Sequence, residues 1–310
     1  MPDEVKNICD ITVSNREEEM KRIIAQHPCY SKEAQHKFGR IHLPVAPACN
    51  IQCNYCDRKF DCVNESRPGV TSEVLTPLEA LEKTKQVLKE FPFIKVVAVA
   101  GPGDPLANDA TFDTFRLVKA ELPDVTLCLS TNGLALPDKM HEIIDTGVDT
   151  LTVTLNAIDP TIEAQLISHV VYKGKIYKGV EAAEILIRNQ LAGIKMAVDA
   201  GIVVKINTVM VPGINDKHIV EVAKKINEMG VYIMNIMPLI CQAKFADMEP
   251  PTAEERQAVQ DACEPYVQQM RHCRQCRSDA FGLIGKDLSQ MSEERRKTIK
   301  LEMAEKSEKA

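Results

Sequence analysis

Cys49-Asn-Ile-Gln-Cys53-Asn-Tyr-Cys56 places three thiols within eight residues. As thiolates they would cap three irons of one cubic [4Fe–4S] cluster and leave the fourth iron without a protein ligand. An iron left open in this way can chelate neighbouring amino and carboxylate groups and pass an electron to what it holds. Zinc is the competing reading, but structural zinc wants four closed ligands, commonly as paired C-x2-C units.

The C-x3-C-x2-C spacing, with the aromatic Tyr55 before the last cysteine, resembles the radical S-adenosylmethionine (SAM) proteins. In that reading Cys49, Cys53 and Cys56 hold the catalytic cluster, and Tyr55 belongs to the cofactor-binding loop. A second candidate element is Ala100-Gly101-Pro102-Gly103-Asp104-Pro105 at the end of an apolar run. Gly101 and Gly103 permit close backbone approach, and Asp104 or exposed carbonyls would receive the SAM ammonium. Thr154 and Asn156, alternating on one strand face, and Ile206-Asn207 on a later strand are further candidates for SAM contacts; ordinary strand residues are the alternative.

Eleven cysteines are many for a chain in a reducing compartment, where disulfides are disfavoured. Cys263, Cys273 and Cys276 could hold a second cluster, or zinc if His272 or another group served as fourth ligand. Cys29, Cys62 and Cys128 are scattered, and each alone reads equally as a small core residue. His42 alternates with Ile41 and Leu43 and therefore faces opposite to them, as a ligand or as a packed imidazole. Glu65 follows Cys62 in a polar loop, as a proton shuttle, a transient ligand or an exposed carboxylate. Cys9 and Cys241 have no partners by spacing and are expected to be inert thiols.

These residues must be positioned by an α/β scaffold. Apolar runs at Ile41–Ala46, Ile94–Ala100, Val125–Ser130, Thr150–Asn156, Ile202–Val211 and Val231–Pro238 alternate with helical stretches near Pro77–Lys89, Thr111–Glu121, Pro137–Asp145, Val180–Ala192 and Lys217–Glu228. Such alternation predicts a parallel sheet, as a doubly wound sheet or a partial barrel. The expected organisation is an N-terminal extension over 1–39 with a helix about Arg16 to Gln26, a core over 40–240, and a C-terminal extension over 241–310. In that last part Thr252–Met270 looks helical and the stretch from Ser292 looks like a solvated helix or frayed tail. A net charge of -6 offers no basic field for a phosphate backbone, so nucleic acid is not expected as a partner. No apolar run reaches membrane-span length and the polar start lacks a signal-peptide core, so no membrane partner and a cytoplasmic location are expected.

Taken together, HPCYSKEAQHKFGRIHLPVAPACNIQCNYC (27–56), CVNESRPGVTSEVLTP (62–77), AGPGDPLA (100–107), STNGL (130–134), VPGIND (211–216) and CRQCRSDAFGLIGKD (273–287) resemble the NifB family, radical SAM enzymes that build the core of the nitrogenase cofactor. The resemblance is to a short form without a NifX-like domain. It implies a partial (β/α)6 radical SAM barrel with N- and C-terminal cluster-binding extensions. It also implies three cluster sites: Cys49, Cys53 and Cys56 for the SAM cluster; Cys29, His42, Cys62 and Cys128 for one substrate [4Fe–4S] unit; Cys263, Cys273 and Cys276 for the other. The activity so implied is carbide synthesis, in which two clusters fuse into an eight-iron product while SAM serves as methyl donor and radical source. Implied partners are iron–sulfur cluster donors, an electron donor and a protein that accepts the product. Cys241, in MPLICQAKF, departs from the Pro/Gly-containing turn that relatives often carry there.

Two other readings compete. A radical SAM enzyme acting on a small organic molecule, with a C-terminal auxiliary cluster as anchor, leaves His42, Cys29, Cys62 and Cys128 without a task. A non-catalytic cluster or zinc carrier leaves the Gly-rich turn and the open three-cysteine loop unexplained.

Overall fold

The computed structural model describes residues 17–64, 69–71 and 73–308. Its main sheet is built on six parallel strands, β1 (Gly39–His42), β3 (Ile94–Val99), β4 (Thr126–Thr131), β5 (Thr150–Thr154), β8 (Val203–Met210) and β9 (Ile233–Pro238). They lie side by side in chain order. Helices α2 (Pro77–Glu90), α3 (Ala110–Glu121), α4 (Leu136–Asp145), α6 (Gly179–Asp199) and α7 (Ile219–Glu228) supply the crossovers, as parallel neighbours require. Helix α2 opens where the sequence marks it: Thr76 and Glu79 form a reciprocal capping box with Pro77 at the first position.

Side chains alternate across the sheet. Ile41, Val97, Val99, Leu127, Leu129, Leu151, Val153, Ile206 and Ile236 pack into the core beneath the helices. Their neighbours His42, Ala98, Cys128, Thr152, Asn207 and Asn235 face an inner cavity. One face is thus oily and the other chemical, and strand period alone sorts them. The run IKVVAVA keeps small residues on the inner side, where Val96 and Ala98 sit with Cys128.

The sheet stays open, and C-terminal residues extend both of its edges. Strand β10 (Gln268–Gln269) adds in parallel to β9, while β11 (Phe281–Leu283) pairs antiparallel with β1 and carries β12 (Lys286–Asp287). Residues 271–280 therefore cross from one edge to the other. At the opposite end of the chain, helix α1 (17–26) leads into His27–Tyr30. Tyr30 is fully buried and donates through its hydroxyl to Leu151 O and Val203 O, near the starts of β5 and β8. This plug closes the amino-terminal end of the sheet.

Several elements differ from the sequence reading. A second sheet joins β2 (Ile51–Cys53) to the hairpin β6 (Ile167–Tyr172) and β7 (Lys175–Tyr177), for which no strand was expected. Helix α8 ends early, at Ala253–Cys263, because the chain turns there to enter β10. Helix α9 (Glu293–Glu308) is not a wholly solvated tail, since Ile299 and Met303 anchor it in the core. No helix among the described residues is long and apolar enough to cross a membrane.

Candidate active site

The cysteine loop leaves the carboxyl end of β1, the edge at which parallel α/β sheets carry their functional loops. It is held there by the turn after β3. Ala46 N donates to Gly101 O (3.2 Å), Gly103 N to Ala46 O (2.6 Å) and Asp104 N to Ala48 O (2.8 Å). A Cβ on Gly103 would lie 2.2 Å from Ala48 O and 2.6 Å from Pro47 O. Only glycine lets the two backbones meet this closely.

Cys49, Cys53, Cys56 and Cys62 line one cavity with Arg58, Asn64, Asp104 and Asn132. Burial raises the thiol pKa of Cys49, Cys53 and Cys56, and at Cys53 the neighbouring sulfurs add to it. Asn64 Nδ2, at 3.7 Å from Cys53 Sγ, offsets this at Cys53, and the Arg58 charge does so at Cys49, where Asn132 Nδ2 also lies 3.7 Å from the sulfur. Amide donors to sulfur tune iron–sulfur sites and favour the thiolate. Three clustered sulfurs with amide donors fit a [4Fe–4S] cluster with one open iron. Among the described residues no three His, Cys, Asp or Glu groups converge as a single metal ion requires. A cube presents separate irons to separate sulfurs and needs no such convergence.

The residues expected to contact SAM divide. Asp104 lines this cavity, but its carboxylate also accepts from Leu106 N (3.0 Å), Asn132 N (2.6 Å) and Thr131 Oγ1 (2.9 Å). Burial pushes its pKa up to about 6 against those hydrogen bonds. Tyr55 and Asn156 are buried against each other beneath the loop. Asn156 Nδ2 donates to Tyr55 Oη (2.8 Å), which donates to Asn64 Oδ1 (2.9 Å). Thr154 is buried, its carbonyl accepting from Gln190. Asn207 faces the inner cavity and donates to Asn64 O (3.0 Å). The Ile206 side chain points the other way, into the helix-covered core, so it reaches neither cavity. Glu65 and Cys9 lie outside the described residues.

The inner cavity is lined by Cys29, His42, Cys128, Cys273 and Cys276. Cys29 enters from the plug, Cys128 from β4, and the other two cysteines from the crossing segment. Burial pushes Cys29 up to about 12 and also raises Cys273. His42 Nδ1 lies 2.9 Å from Arg277 O, so Nδ1 carries the proton and Nε2 keeps its lone pair. Burial, helped by the Arg40 charge, pushes His42 down to about 3, leaving the neutral imidazole that a metal requires. His27 also lines the cavity; its Nδ1 accepts from Cys29 N (3.1 Å) and its buried Nε2 has no partner among the described residues.

Two expected ligands stand apart. Cys62 lines the cavity of the SAM-cluster loop, not the inner one, because its backbone is tied to Pro102 O (2.9 Å). Cys263, at the end of α8, is 0% exposed within the helix-side core and lines neither cavity. Its approach to Cys273 and Cys276 would require the last turn of α8 to move. Cys241 is half-buried against the loop's apolar floor. Sequence reasoning named none of Asn64, Asn132, Arg58 and Lys205 as site residues; Asn64 and Asn132 lie in the marked stretches 62–77 and 130–134, whereas nothing marked Arg58 or Lys205.

A sheet of consecutive parallel strands with a three-cysteine loop after the first defines the class. Residues 43–226 match the radical SAM superfamily, and the chain belongs to it. It is 50% identical, over 86% of its length, to the FeMo cofactor biosynthesis protein NifB of Herbaspirillum seropedicae, and 51% and 50% identical over the same share to those of Bradyrhizobium diazoefficiens and Klebsiella pneumoniae. The chain spans 52%, 55% and 58% of those proteins, little more than half of each. The NifB resemblance carried by the motifs therefore extends along most of this chain. Streptococcus suis SuiB shares the fold, with a TM-score of 0.55 and 13% identity over 78% of this chain and 52% of that one.

Proposed function

We propose that the chain is a radical SAM enzyme of nitrogenase cofactor assembly whose substrates are two [4Fe–4S] clusters, joined into an eight-iron, carbide-containing precursor. The observation that carries this is the adjacency of two sulfur-lined cavities. The loop cavity and the inner cavity share a wall at the Asn64–Asn207 hydrogen bond. An enzyme acting on a small organic molecule has no use for Cys29, His42, Cys128, Cys273 and Cys276 lining a single cavity. The names of the relatives point the same way.

When bound at Cys49, Cys53 and Cys56, a [4Fe–4S] cluster supplies an open iron for SAM and the electron that cleaves its sulfonium. The chain's own residues do the rest. Gly101, Gly103 and Asp104 hold the loop, and Tyr55, Asn156 and Asn207 brace it from below. Cys29, His42 and Cys128, with Cys62 at the boundary, are assigned to one substrate unit. Cys273 and Cys276 are assigned to the other, joined by Cys263 once α8 yields. A neutral imidazole binds more weakly than thiolate, which suits a unit that must later leave. Glu65 is assigned either as a proton carrier or as a transient cluster ligand. An electron donor, cluster donors and a protein acceptor complete the reaction.

The test is anaerobic reconstitution with methyl-labelled SAM. The expected products are both S-adenosylhomocysteine and 5′-deoxyadenosine, with label retained in an extractable iron–sulfur species. Cys128→Ala should keep SAM binding and lose only the fused product. If labelled carbon never enters the iron–sulfur product, the proposal fails; 5′-deoxyadenosine without S-adenosylhomocysteine would favour an organic substrate.

A further inference from the structure

Four residues of the inner cavity, Asn235, Met237, Cys273 and Arg274, also line a second hollow, a groove completed by Pro238, Gln275 and Arg256. The groove lies at the carboxyl end of β9, between the first turns of α8 and the crossing segment. Other ways into the cavity are taken. The Tyr30 plug closes the amino-terminal end of the sheet, and the loop cavity at β1 has no lining residue in common with the inner one. An occupant too large to slip between side chains therefore has its route to solvent along this groove.

The groove's charge is one-sided. Arg256 reaches it from α8 and Arg274 from the crossing segment, and no Asp or Glu among the described residues lines it. Arg274 is exposed and Arg256 half-buried, so both remain hydrated and able to meet a ligand from solution. Neither guanidinium has an ion-pair or hydrogen-bond partner among the described residues. Arg271 and Arg277 nearby are held instead, by Asp261 and Glu264 and by Asp279. On a chain of net charge -6, two unpaired cations in a concave mouth give an approaching anion a local attraction that the rest of the surface does not offer. Arginine stays protonated and has no lone pair for iron, so it can attract a cluster without ligating it.

We propose that this groove is the port through which anionic, thiolate-capped iron–sulfur units reach the inner cavity, with Arg256 and Arg274 steering them in. The idea rests on the cluster-substrate reading above. Both arginines act on approach and are positioning residues. Loading is a ligand exchange: a cysteine sulfur of the cavity bonds to iron as the bond from iron to a small thiolate breaks. The small thiol leaves with the cysteine's proton, and no electron moves.

The test loads the full apo chain anaerobically, as wild type, Arg256→Gln, Arg256→Glu and Arg256→Lys; Arg274 is left in place because it adjoins Cys273. The probe is a synthetic [4Fe–4S] cluster capped by 2-mercaptoethanol, and the control is ferrous ion and sulfide supplied separately. The rate of inner-cavity loading is read as total bound iron less that of the loop cluster, which its SAM-perturbed EPR signal reports. At low ionic strength Arg256→Gln should load from the synthetic cluster roughly fivefold more slowly, Arg256→Glu more slowly still, and Arg256→Lys as wild type. The differences should vanish at about 1 M salt, where charges are screened beyond about 3 Å, and the control should be unchanged throughout. A wild-type rate in Arg256→Glu would overturn the port while leaving the cluster-substrate reading intact. Slowing that persists at high salt, or that affects the control equally, would also overturn it, assigning Arg256 to packing. Wild-type protein that loads iron only at the loop would overturn both.

Discussion

Gly103→Ala tests the hold of the β3 turn on the cysteine loop. The added methyl would start 2.2 Å from Ala48 O and 2.6 Å from Pro47 O, whereas ordinary contact begins near 3.4 Å. One backbone must retreat by the difference, about 1.2 Å, because carbonyl oxygens have no rotamer in which to escape. That retreat stretches the bonds from Gly103 N to Ala46 O and from Asp104 N to Ala48 O. Overpacking of about 1–3 kcal/mol and two weakened hydrogen bonds at about 1 kcal/mol each sum to roughly 3–5 kcal/mol. At roughly 2 °C per kcal/mol for a chain of this size, Tm should fall by about 6–10 °C. Cys49 directly follows Ala48, so its sulfur moves with the loop. Anaerobic scanning calorimetry and iron loading on a background lacking Cys29, Cys128, Cys273 and Cys276 would read both effects, with a lowered Tm and incomplete loading expected. A variant with unchanged Tm and full loading would refute the claim that this contact positions the loop.

Two further predictions concern groups near the same loop. Glu163, 1% exposed on α5 (Pro160–Leu166), has a buried Oε2 without a partner among the described residues, and burial pushes its pKa from 4.5 up to about 8. The folded chain thus holds this proton more tightly, so the group's contribution is complete below 4.5 and is lost as pH rises through 8, an effect of up to roughly 5 kcal/mol. Urea midpoints of Glu163→Gln should lack that decline, and parallel curves for the two proteins between pH 5 and 9 would contradict the assignment. Asn156→Ala should destabilise the chain by about 2–4 kcal/mol even without SAM, because Val209 N and the Tyr55 hydroxyl each lose a buried partner. Unchanged stability with weaker SAM binding would instead make Asn156 a direct SAM contact.

Strand and helix positions were legible because hydrophobic period is local: six predicted strands and five crossover helices overlap the observed ones, although α6 runs on to Asp199, past its expected end at Ala192. His42 was correctly turned away from Ile41 and Leu43 by the same period. The hairpin over 167–177 was not legible, since Val171 and Ile176 are exposed and its pairing partner, β2, lies far back in the chain. The candidate pair Ile206-Asn207 spans both faces of a strand, and only the Asn207 side chain turns inward.

By itself, the sequence determined the loop chemistry and the class of scaffold. Three cysteines within eight residues stay together however the chain folds, and alternating apolar periods require parallel strands with crossovers. Only the tertiary structure decided which distant sulfurs share a cavity. Cys273 and Cys276 meet Cys29 and Cys128 because β10 and β11 pair with opposite edges of one sheet and stretch residues 271–280 across its open side. The same pairing brings Arg40 onto Cys276, a contact between residues 236 positions apart. Spacing along the chain carries no information about such contacts; edge pairing and the packing of α8 set them, and they turn Cys62 and Cys263 elsewhere.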